Sequence, residues 1–480
     1  MTLKTEVVRG LKWTAGAKFG GQLITWGITI FVMRLLAPAD YGLLAMATVF
    51  ITLLAMFAEI GLGPALVQVR EIGTTKLRQA FGIVLLLNLA LCLLLNLLAA
   101  PIAAFYAEPR LDAVVRVLSL QFLLTPFYVL PDVVLQRRLE FRQRSLIELG
   151  AAIGGSVATL ALALAHWGVW ALVLGNLVSI AWRAVAVNLV APFRHWPSFS
   201  WQGMRGLLFF GGNVAGSRLL WFVFTQADTV IVGRLLGGQV LGFYSVAMHL
   251  ASLPVQRMSA ILNQVAFPAF SRFQHDPDLI AAQLRKAFGL MSLISFPILW
   301  GMSSTAREIV LVLLGPGWED AVLPLQILTL VMPFRTLAGF LPSITDAVGR
   351  PEVGFYNVLL GCLTMPPAFY FGSRWGIAGV ACAWITVYPV VLLLNMQRML
   401  GVIDLKLASV SGMVMPPLLC AAGMYAAVWC SGWLLASTVS SKSLLVVEIG
   451  VGATAYALLT LAINRAGLKQ LMQLLARQQT

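Results

Sequence analysis

Long runs of apolar residues, each about long enough to cross a bilayer, are the feature that most restricts the fold of this chain. A transmembrane helix needs roughly 20 consecutive, mainly apolar residues. The 480-residue chain is 59% apolar and only 11% charged, whereas an ordinary soluble domain carries about 25% charged residues. The chain is therefore predicted to be an integral membrane protein.

Fourteen spanning helices are predicted, near residues 13–36, 43–67, 80–104, 114–135, 146–166, 169–191, 207–236, 241–270, 287–314, 321–346, 353–372, 376–397, 409–436 and 444–463. Helices are favoured over barrel strands because the segments are continuously apolar, while barrel strands alternate over about 10 residues. The first segment is longer than the apolar part of a cleavable signal, so it is predicted to remain as a spanning helix. The predicted fold class is all-α.

Two stretches 200 residues apart indicate an internal duplication. Arg34-Leu-Leu followed by Gly42 corresponds to Arg234-Leu-Leu followed by Gly242. Two further matches, at an offset of 208, pair Asp112-Ala113-Val114 with Asp320-Ala321-Val322 and Trp167-Gly168 with Trp375-Gly376. Four matches in the same order are hard to obtain by chance.

The duplication predicts two lobes of six helices each. An even number of helices gives both copies the same orientation, related by an axis along the membrane normal, and places the substrate between the lobes near mid-membrane. The predicted domains are an N-terminal lobe at 1–200, a C-terminal lobe at 201–400, and an addition at 401–480 that holds helices 13 and 14 and a cytoplasmic tail.

Positive charge predicts the orientation of the chain. With the N-terminus inside, the inner loops carry 21 lysines and arginines and the outer loops carry 4, as the positive-inside rule requires. Both termini are therefore predicted to be cytoplasmic. The net charge of +14 is spread over many short loops rather than gathered on one face, which argues against nucleic-acid binding.

No motif indicates an enzyme. The five cysteines lie in apolar segments without paired spacing, and the four histidines form no H-x-x-x-H or H-E-x-x-H arrangement. A nucleophile motif of the G-x-S-x-G type and a phosphate-cradling glycine loop are also missing from the sequence. We therefore predict no catalytic residue, no metal site and no cofactor.

Polar side chains repeat at helical spacing on three of the predicted helices. The stripes are Ser245, His249, Ser252, Gln256, Ser259 and Asn263 on the eighth, Thr14, Lys18, Gln22, Thr25 and Thr29 on the first, and Asn213, Ser217, Trp221, Thr225 and Asp228 on the seventh. Such a stripe is not expected to face lipid. For serine and threonine alone, the simpler interpretation is close packing between helices, with hydrogen bonds worth about 1 kcal/mol each.

Six cations inside predicted spans carry more weight, because each costs roughly 2.5 to 3.5 kcal/mol if unpaired near the membrane centre. They are Lys18, Arg183, Arg218, Arg257, Arg307 and Arg335. Arg183 and Arg307 lie near helix ends and can snorkel, and Arg307 has Glu308 as a neighbouring partner. The other four are predicted to line a hydrated cavity. The alternative is that they are structural or lie near the cytoplasmic rim.

A cavity rich in cations suits an acidic ligand, because arginine and lysine bind phosphate through charge-assisted hydrogen bonds. The predicted substrate-binding residues are Lys18, Gln22, Arg218, His249, Gln256, Arg257 and Arg335. Three carboxylates, Glu59, Asp228 and Asp346, are predicted either to pair with these cations or to bind a coupling ion, for which a proton or sodium gradient is the candidate.

The sequence also resembles a known family. The resemblance rests on residues 34–43 (RLLAPADYGL), 59–68 (EIGLGPALVQ), 135–142 (LQRRLEFR), 315–322 (GPGWEDAV) and 349–351 (GRP). These look like the polysaccharide transporters of the multidrug, oligosaccharidyl-lipid and polysaccharide exporter superfamily, and they are most similar to flippases of the colanic-acid type. The resemblance covers about residues 5 to 400.

The resemblance implies fourteen helices in two lobes and translocation of an undecaprenyl-diphosphate-linked oligosaccharide across the bacterial inner membrane, for exopolysaccharide, capsule or O-antigen synthesis. The implied partners are the lipid-linked oligosaccharide, membrane lipids, and the polysaccharide polymerase and export machinery. No family motif fixes the phosphate-binding cations, so the site residues are inferred from the sequence pattern alone.

Two other functions stay open at this stage. A cation-coupled drug or metabolite antiporter of the same superfamily would have the same fold and a cavity rich in aromatic side chains and carboxylates. A membrane enzyme of glycan assembly would need a catalytic loop, but the predicted loops do not exceed about 20 residues.

Overall fold

The structure is a computed structural model. It describes residues 20–58, 73–193, 196–200, 205–272, 277–403, 405–435 and 438–468, apart from positions 23, 139, 340, 343, 344, 346, 347, 404 and 466. The side chains at 205–218, 257, 259–272, 277, 278 and 351 are not described, although the helices that contain them are.

Helices are the regular secondary structure throughout the described residues. They are α1 (20–35), α2 (Pro38–Ala58), α3 (Thr74–Tyr106), α4 (Arg110–Ser119), α5 (Gln121–Leu124), α6 (Pro126–Arg137), α7 (Phe141–Leu164), α8 (Val169–Val190), α9 (Arg205–Leu236), α10 (Gly238–Arg272), α11 (Pro277–Ser304), α12 (Ala306–Ile309), α13 (Val322–Ala338), α14 (Pro351–Gly372), α15 (Gly376–Thr386), α16 (Tyr388–Val402), α17 (Leu407–Leu435) and α18 (Ser441–Ile463). A π-helical turn at Val310–Leu314 and two 3-10 turns, Pro316–Ala321 and Ser373–Trp375, connect some of them.

The prediction of an all-α membrane protein is confirmed. Within the described residues, ten helical segments are long and apolar enough to span a membrane, or eleven when the bent pair Arg110–Leu124 and Pro126–Arg137 counts as one span. One of the ten, Glu352–Val402, is 51 residues long and has room for two crossings of about 20 residues. The partly described α1 and α10 lie outside that count. The structure is therefore compatible with fourteen spans.

The chain forms two compact units, one up to Gly242 and one from Phe243 onward. In the first unit, α7 packs along α8, and α3 packs against α4 and α2. In the second unit, α11, α17 and α18 pack together, and α13 lies against α11 and α15. The domain boundaries at residues 200 and 400 stay predictions.

The two copies of the glycine after Arg-Leu-Leu lie at one crossing of α2 and the start of α10, inside the first unit. A β-carbon on Gly42 would overlap the carbonyl oxygen of Gly238, and one on Gly242 would overlap the carbonyl oxygen of Pro38. The two helix starts therefore touch through backbone atoms, which only glycine permits.

The repeated Trp-Gly pair, at 167–168 and 375–376, also has the same backbone conformation in both copies. Gly168 has φ of 55° before α8, and Gly376 has φ of 69° at the start of α15. With ψ of −133° and −157°, both residues occupy a region that is essentially reserved for glycine. The matched Trp-Gly pairs thus form the same turn in the two units.

The fourth predicted span is not one straight helix. It is broken at Thr125, where Pro126 starts α6 at an angle of 41° to the preceding helices. Proline lacks the N–H that would continue the hydrogen-bond ladder. The side-chain amide of Asn188 on α8 donates to the carbonyl of Phe127, at 2.5 Å, so a carbonyl next to the break has a partner.

Candidate functional site

The side chains of half of the ten predicted site residues are not described. Lys18, Glu59 and Asp346 are outside the described residues, and Arg218 and Arg257 lie on α9 and α10 without described side chains. Their roles stay predictions. The structure describes Gln22, His249, Gln256, Arg335 and Asp228.

Arg335 is the described cation around which a binding site can be built. It lies in the last turn of α13 and is half-buried, where the dipole of the helix favours a positive charge. Its guanidinium carbon is 4.3 Å from the ring centroid of Trp384 on α15. One of its terminal nitrogens is 3.8 Å from the sulfur of Met248 on α10. Arg335 therefore joins three helices of the second unit.

The ring beneath Arg335 is held in place by other aromatic side chains. The indole N–H of Trp384 donates to the hydroxyl of Tyr244 on α10 at 3.0 Å. The rings of Tyr388 and Phe369 lie 5.5 and 5.2 Å from that of Trp384. Trp384 and Tyr244 are each only 1% exposed. A cation stacked on such a fixed ring is stabilised by about 2 kcal/mol when it is desolvated.

Two other arginines inside predicted spans, Arg183 and Arg307, are paired with carboxylates. Arg183 on α8 lies 3.2 Å from Glu148 on α7, a partner that the sequence analysis did not identify. Arg307 lies 3.6 Å from Glu319 rather than pairing with its neighbour Glu308. Adjacent residues of a helix point to different sides, whereas the 3-10 turn at 316–321 brings Glu319 back toward Arg307.

Arg335 differs from those cations because it takes part in none of the ion pairs found among the described residues. A guanidinium carries five N–H donors in a planar fork. Stacking on Trp384 uses the face of that fork and leaves donors at its edge, where a phosphate can bind with charge-assisted hydrogen bonds. The geometry therefore suits an anionic ligand.

The polar stripe of α10 begins beside this guanidinium. His249 follows Met248, the contact of Arg335, and His249 and Gln256 are both exposed. The amide of Gln256 donates to the hydroxyl of Ser252 at 3.2 Å. The structure thus brings Arg335 into contact with the helix that carries His249 and Gln256, both of which are exposed residues.

The hydroxyls of the stripes have a simpler role. Thr25 and Thr29 of α1 donate to the carbonyls of Gln22 and Thr25, at 3.0 and 2.8 Å. Ser252 and Thr225 donate in the same way to carbonyls one turn earlier in their own helices. These hydroxyls are satisfied without water, so they do not themselves indicate a hydrated cavity.

Asp228 is a buried carboxylate in the first unit. It lies on α9 and is only 2% exposed. One of its oxygens accepts a hydrogen bond from the backbone N–H of Thr229 at 2.7 Å and lies 3.4 Å from the Thr229 hydroxyl. Whether it binds an ion or pairs with a cation stays a prediction.

The aromatic surface under Arg335 was missed by the sequence reasoning. Trp384 and Tyr388 are four residues apart, the spacing that places two side chains on one face of the single helix predicted at 376–397. This signal is present in the sequence, but apolar surroundings make an aromatic pair look like ordinary core. Only the position of Arg335 distinguishes them.

Comparison with known proteins identifies the family. A family described as polysaccharide biosynthesis protein matches residues 31–323. The lipopolysaccharide biosynthesis protein WzxC of Escherichia coli is 26% identical over 396 residues, which cover 81% of this chain and 79% of that protein. The succinoglycan biosynthesis transport protein ExoT of Rhizobium meliloti is 27% identical over 393 residues, with coverage of 81% and 79%.

Solved structures show the same fold. The lipid II flippase MurJ, in an inward closed conformation, superposes with a TM-score of 0.76 at 14% identity and covers 95% of this chain and 99% of its own. An inward-facing multidrug resistance MATE transporter of the MOP superfamily gives a TM-score of 0.62 at 14% identity, with coverage of 80% and 96%. The predicted resemblance is thus confirmed, and the chain is a multi-pass membrane protein that belongs to the polysaccharide biosynthesis protein family.

Proposed function

We propose that this protein is a flippase that moves undecaprenyl-diphosphate-linked oligosaccharide repeat units from the cytoplasmic to the periplasmic leaflet of the bacterial inner membrane, for exopolysaccharide, capsule or O-antigen synthesis. The observation that carries the proposal is Arg335, a half-buried cation in a spanning helix that stacks on Trp384 and forms no ion pair with the described residues. Relatives named for lipopolysaccharide biosynthesis and succinoglycan transport support it.

The chemistry of the cargo fits such a carrier. A diphosphate-linked sugar head cannot cross hydrocarbon unaided, because its charges and hydroxyls would lose their hydrogen bonds. The polyprenyl tail can stay in lipid while the protein shields the head. A guanidinium with free edge donors supplies the charge-assisted hydrogen bonds that replace water around the diphosphate.

In this mechanism, the head group binds in a cationic cavity that opens first to the cytoplasm and then to the periplasm. The proposed head-group ligands are Lys18, Gln22, Arg218, His249, Gln256, Arg257 and Arg335. Glu59, Asp228 and Asp346 are proposed to pair with these cations or to bind a coupling proton or sodium ion. Both termini are proposed to be cytoplasmic, as the positive-inside rule predicts.

The test is direct observation of head-group movement. The purified protein is reconstituted into liposomes with a fluorescent undecaprenyl diphosphate sugar, and a membrane-impermeant oxidant reports which sugars face outward. We expect the wild-type protein to make the inner pool reachable and protein-free liposomes to keep it protected. Equal protection in both samples would overturn the proposal. In cells, deletion is expected to accumulate lipid-linked repeat units on the inner leaflet.

A drug or metabolite antiporter is the second candidate, favoured by the buried carboxylate of Asp228 and by the fold that the chain has in common with a MATE transporter. A buried acid suits an organic cation, whereas Arg335 repels one. The same liposomes separate the two functions, because an antiporter would exchange a cationic dye for protons and leave the lipid-linked sugar where it was. Chemical turnover of the lipid-linked sugar would instead indicate an enzyme.

A further inference from the structure

One acidic residue lies deep in the C-terminal helix pair, away from the predicted site. Glu448 is on α18, seven residues after Ser441, which corresponds to about 10 Å along the helix axis. It is 3% exposed, and its Oε2 atom is buried without a hydrogen-bond partner in the described part of the chain. An intramembrane acid of this kind points to a function by default.

The surroundings of Glu448 on α17 are built closely around its carboxyl group. A β-carbon on Gly432 would lie 2.6 Å from Oε1 of Glu448. Elsewhere along the same pair of helices, a β-carbon on Gly452 would lie 3.1 Å from Val428, and one on Gly423 would lie 2.6 Å from Leu459. Small residues of this kind let membrane helices approach closely, so the carboxyl group lies in a narrow, apolar space.

Among the described residues, no cation forms an ion pair with the carboxyl group of Glu448. Glu308 lies on α12, a short helix that packs against α18. Its neighbour Arg307 is paired with Glu319. Helix α17 (Leu407–Leu435) contains no charged residue. On α11, the charged residues with described side chains are Arg285 and Lys286, which lie in the N-terminal half of that helix, whereas Glu308 follows its C-terminal end. Lys442, on α18 itself, is exposed at the start of the helix.

These contacts favour a bound proton over a negative charge. An ion buried without a partner loses hydration worth several kcal/mol, and two nearby carboxylates resist ionising together. Glu308 is half-buried and stands next to the exposed Arg307, so it is more accessible than Glu448. Glu448 has no such exposure.

We propose that Glu448, with Glu308 beside it, is a proton-binding site in the helix pair α17–α18, outside the twelve predicted core spans, and that its occupancy couples transport to the proton gradient. The coupling part rests on the proposed transport function. The binding part does not, because a proton site can be detected in the purified protein without any substrate.

The first experiment is infrared difference spectroscopy of the full-length protein in liposomes during a pH titration. We expect a protonated carboxyl band in the wild type that Glu448→Gln removes. Removing the acid on the neighbouring α12 with Glu308→Gln should change the pH range in which the band titrates, and Gly432→Ala, which pushes on the carboxyl group, should shift the band. The matched control is Glu352→Gln, which changes an exposed acid paired with Arg350 on another helix and should leave the band unchanged.

The second experiment measures head-group flipping with and without an inward proton gradient. We expect the gradient to accelerate flipping by the wild type and by Glu352→Gln, and to have no effect on Glu448→Gln, whose basal flipping persists. A wild-type spectrum with no band that depends on Glu448, or a band that responds to sodium at fixed pH, would overturn the proton site. Unchanged gradient dependence in Glu448→Gln would overturn the coupling.

The two proposals fail in different ways. If the Glu448 band titrates but no lipid-linked sugar moves, the proton site stands and the flippase assignment fails. If sugar moves and no band depends on Glu448, the flippase stands and the proton site fails. Should Glu448→Gln fold poorly, the Gly432→Ala and Glu308→Gln spectra still decide the outcome.

Discussion

Gly42 of α2 and Gly238 of α10 meet so closely that a β-carbon on Gly42 would overlap the carbonyl oxygen of Gly238. The contact joins two backbones, so neither partner has a flexible side chain that could move away. Glycine at position 42 is therefore required by the approach of the helices.

Gly42→Ala is expected to destabilise the protein by about 1 to 3 kcal/mol, the usual effect of overpacking at a closed contact. The change is measured as the difference in unfolding midpoint when the detergent-solubilised protein is heated or titrated with denaturant. The matched control is Gly27→Ala on α1, where a β-carbon would meet no atom within 4 Å. An alanine there should be neutral or slightly stabilising. Equal stability of both variants would show that α2 and α10 are not this close.

Arg335→Ala is expected to weaken binding of the diphosphate head by roughly tenfold or more, since a hydrogen bond to a charged group contributes about 1.5 to 3 kcal/mol. Arg335→Lys should restore part of the affinity, because lysine keeps the charge but loses the planar fork. Titration of undecaprenyl diphosphate into purified protein gives the Kd. Arg307→Gln, which removes an exposed and paired cation, is the control. A Kd unchanged by Arg335→Ala would remove Arg335 from the site.

Tyr244→Phe removes the hydroxyl that accepts from the Trp384 indole and leaves the aromatic packing intact. The buried N–H then lacks its partner, which costs about 1 to 3 kcal/mol. We expect a lower unfolding midpoint and weaker head-group binding, because the ring under Arg335 loses its anchor. A variant that is destabilised but binds normally would show that the anchor serves only the fold.

Glu148→Gln is expected to destabilise the first unit without changing head-group binding, because it leaves Arg183 without the partner that lies 3.2 Å away. The pair is partly exposed, so the loss should be modest, about 1 kcal/mol. A double-mutant cycle with Arg183→Gln measures the coupling between the two side chains. If Glu148→Gln weakened head-group binding without changing stability, the pair would belong to the binding site rather than serve the fold.

Lys18→Ala, Arg218→Ala and Arg257→Ala are each expected to reduce glycan export while the protein stays in the membrane. The reason is the cost of an unpaired intramembrane cation, which is retained only where it serves a hydrated cavity or a ligand. Export is measured as surface polysaccharide at matched protein levels. Normal output from all three variants would remove these residues from the proposed site.

The sequence was sufficient to predict the membrane class, the all-α fold and the family. Each of these can be recognised from short stretches of sequence: apolar runs of spanning length, and short motifs such as the one from Arg34 to Gly42 and its repeat. The shared turn at Gly168 and Gly376 explains why those short matches persist: their φ values of 55° and 69° exclude most other residues. A backbone conformation that requires glycine therefore keeps glycine at the same position in both copies of the repeat.

Side-chain partners were harder to predict, because pairing depends on contacts between distant segments. Arg183 looked like a snorkelling residue but pairs with Glu148 on the neighbouring helix. Arg307 pairs across the 3-10 turn with Glu319 rather than with the adjacent acid. The aromatic ring under Arg335 comes from a residue 49 positions later in the chain. No local spacing indicates such partners.

The hydrogen bond that holds Trp384 also restricts the movement of the Arg335 side chain stacked on it. Stacked on an indole that is itself tied to Tyr244, Arg335 has little freedom to swing aside. The guanidinium is then expected to move together with the helices that hold it, rather than by rotation of its own side chain. If Arg335 binds the proposed diphosphate head, release would then depend on water or an acid reaching the edge of the guanidinium rather than on movement of the Arg335 side chain.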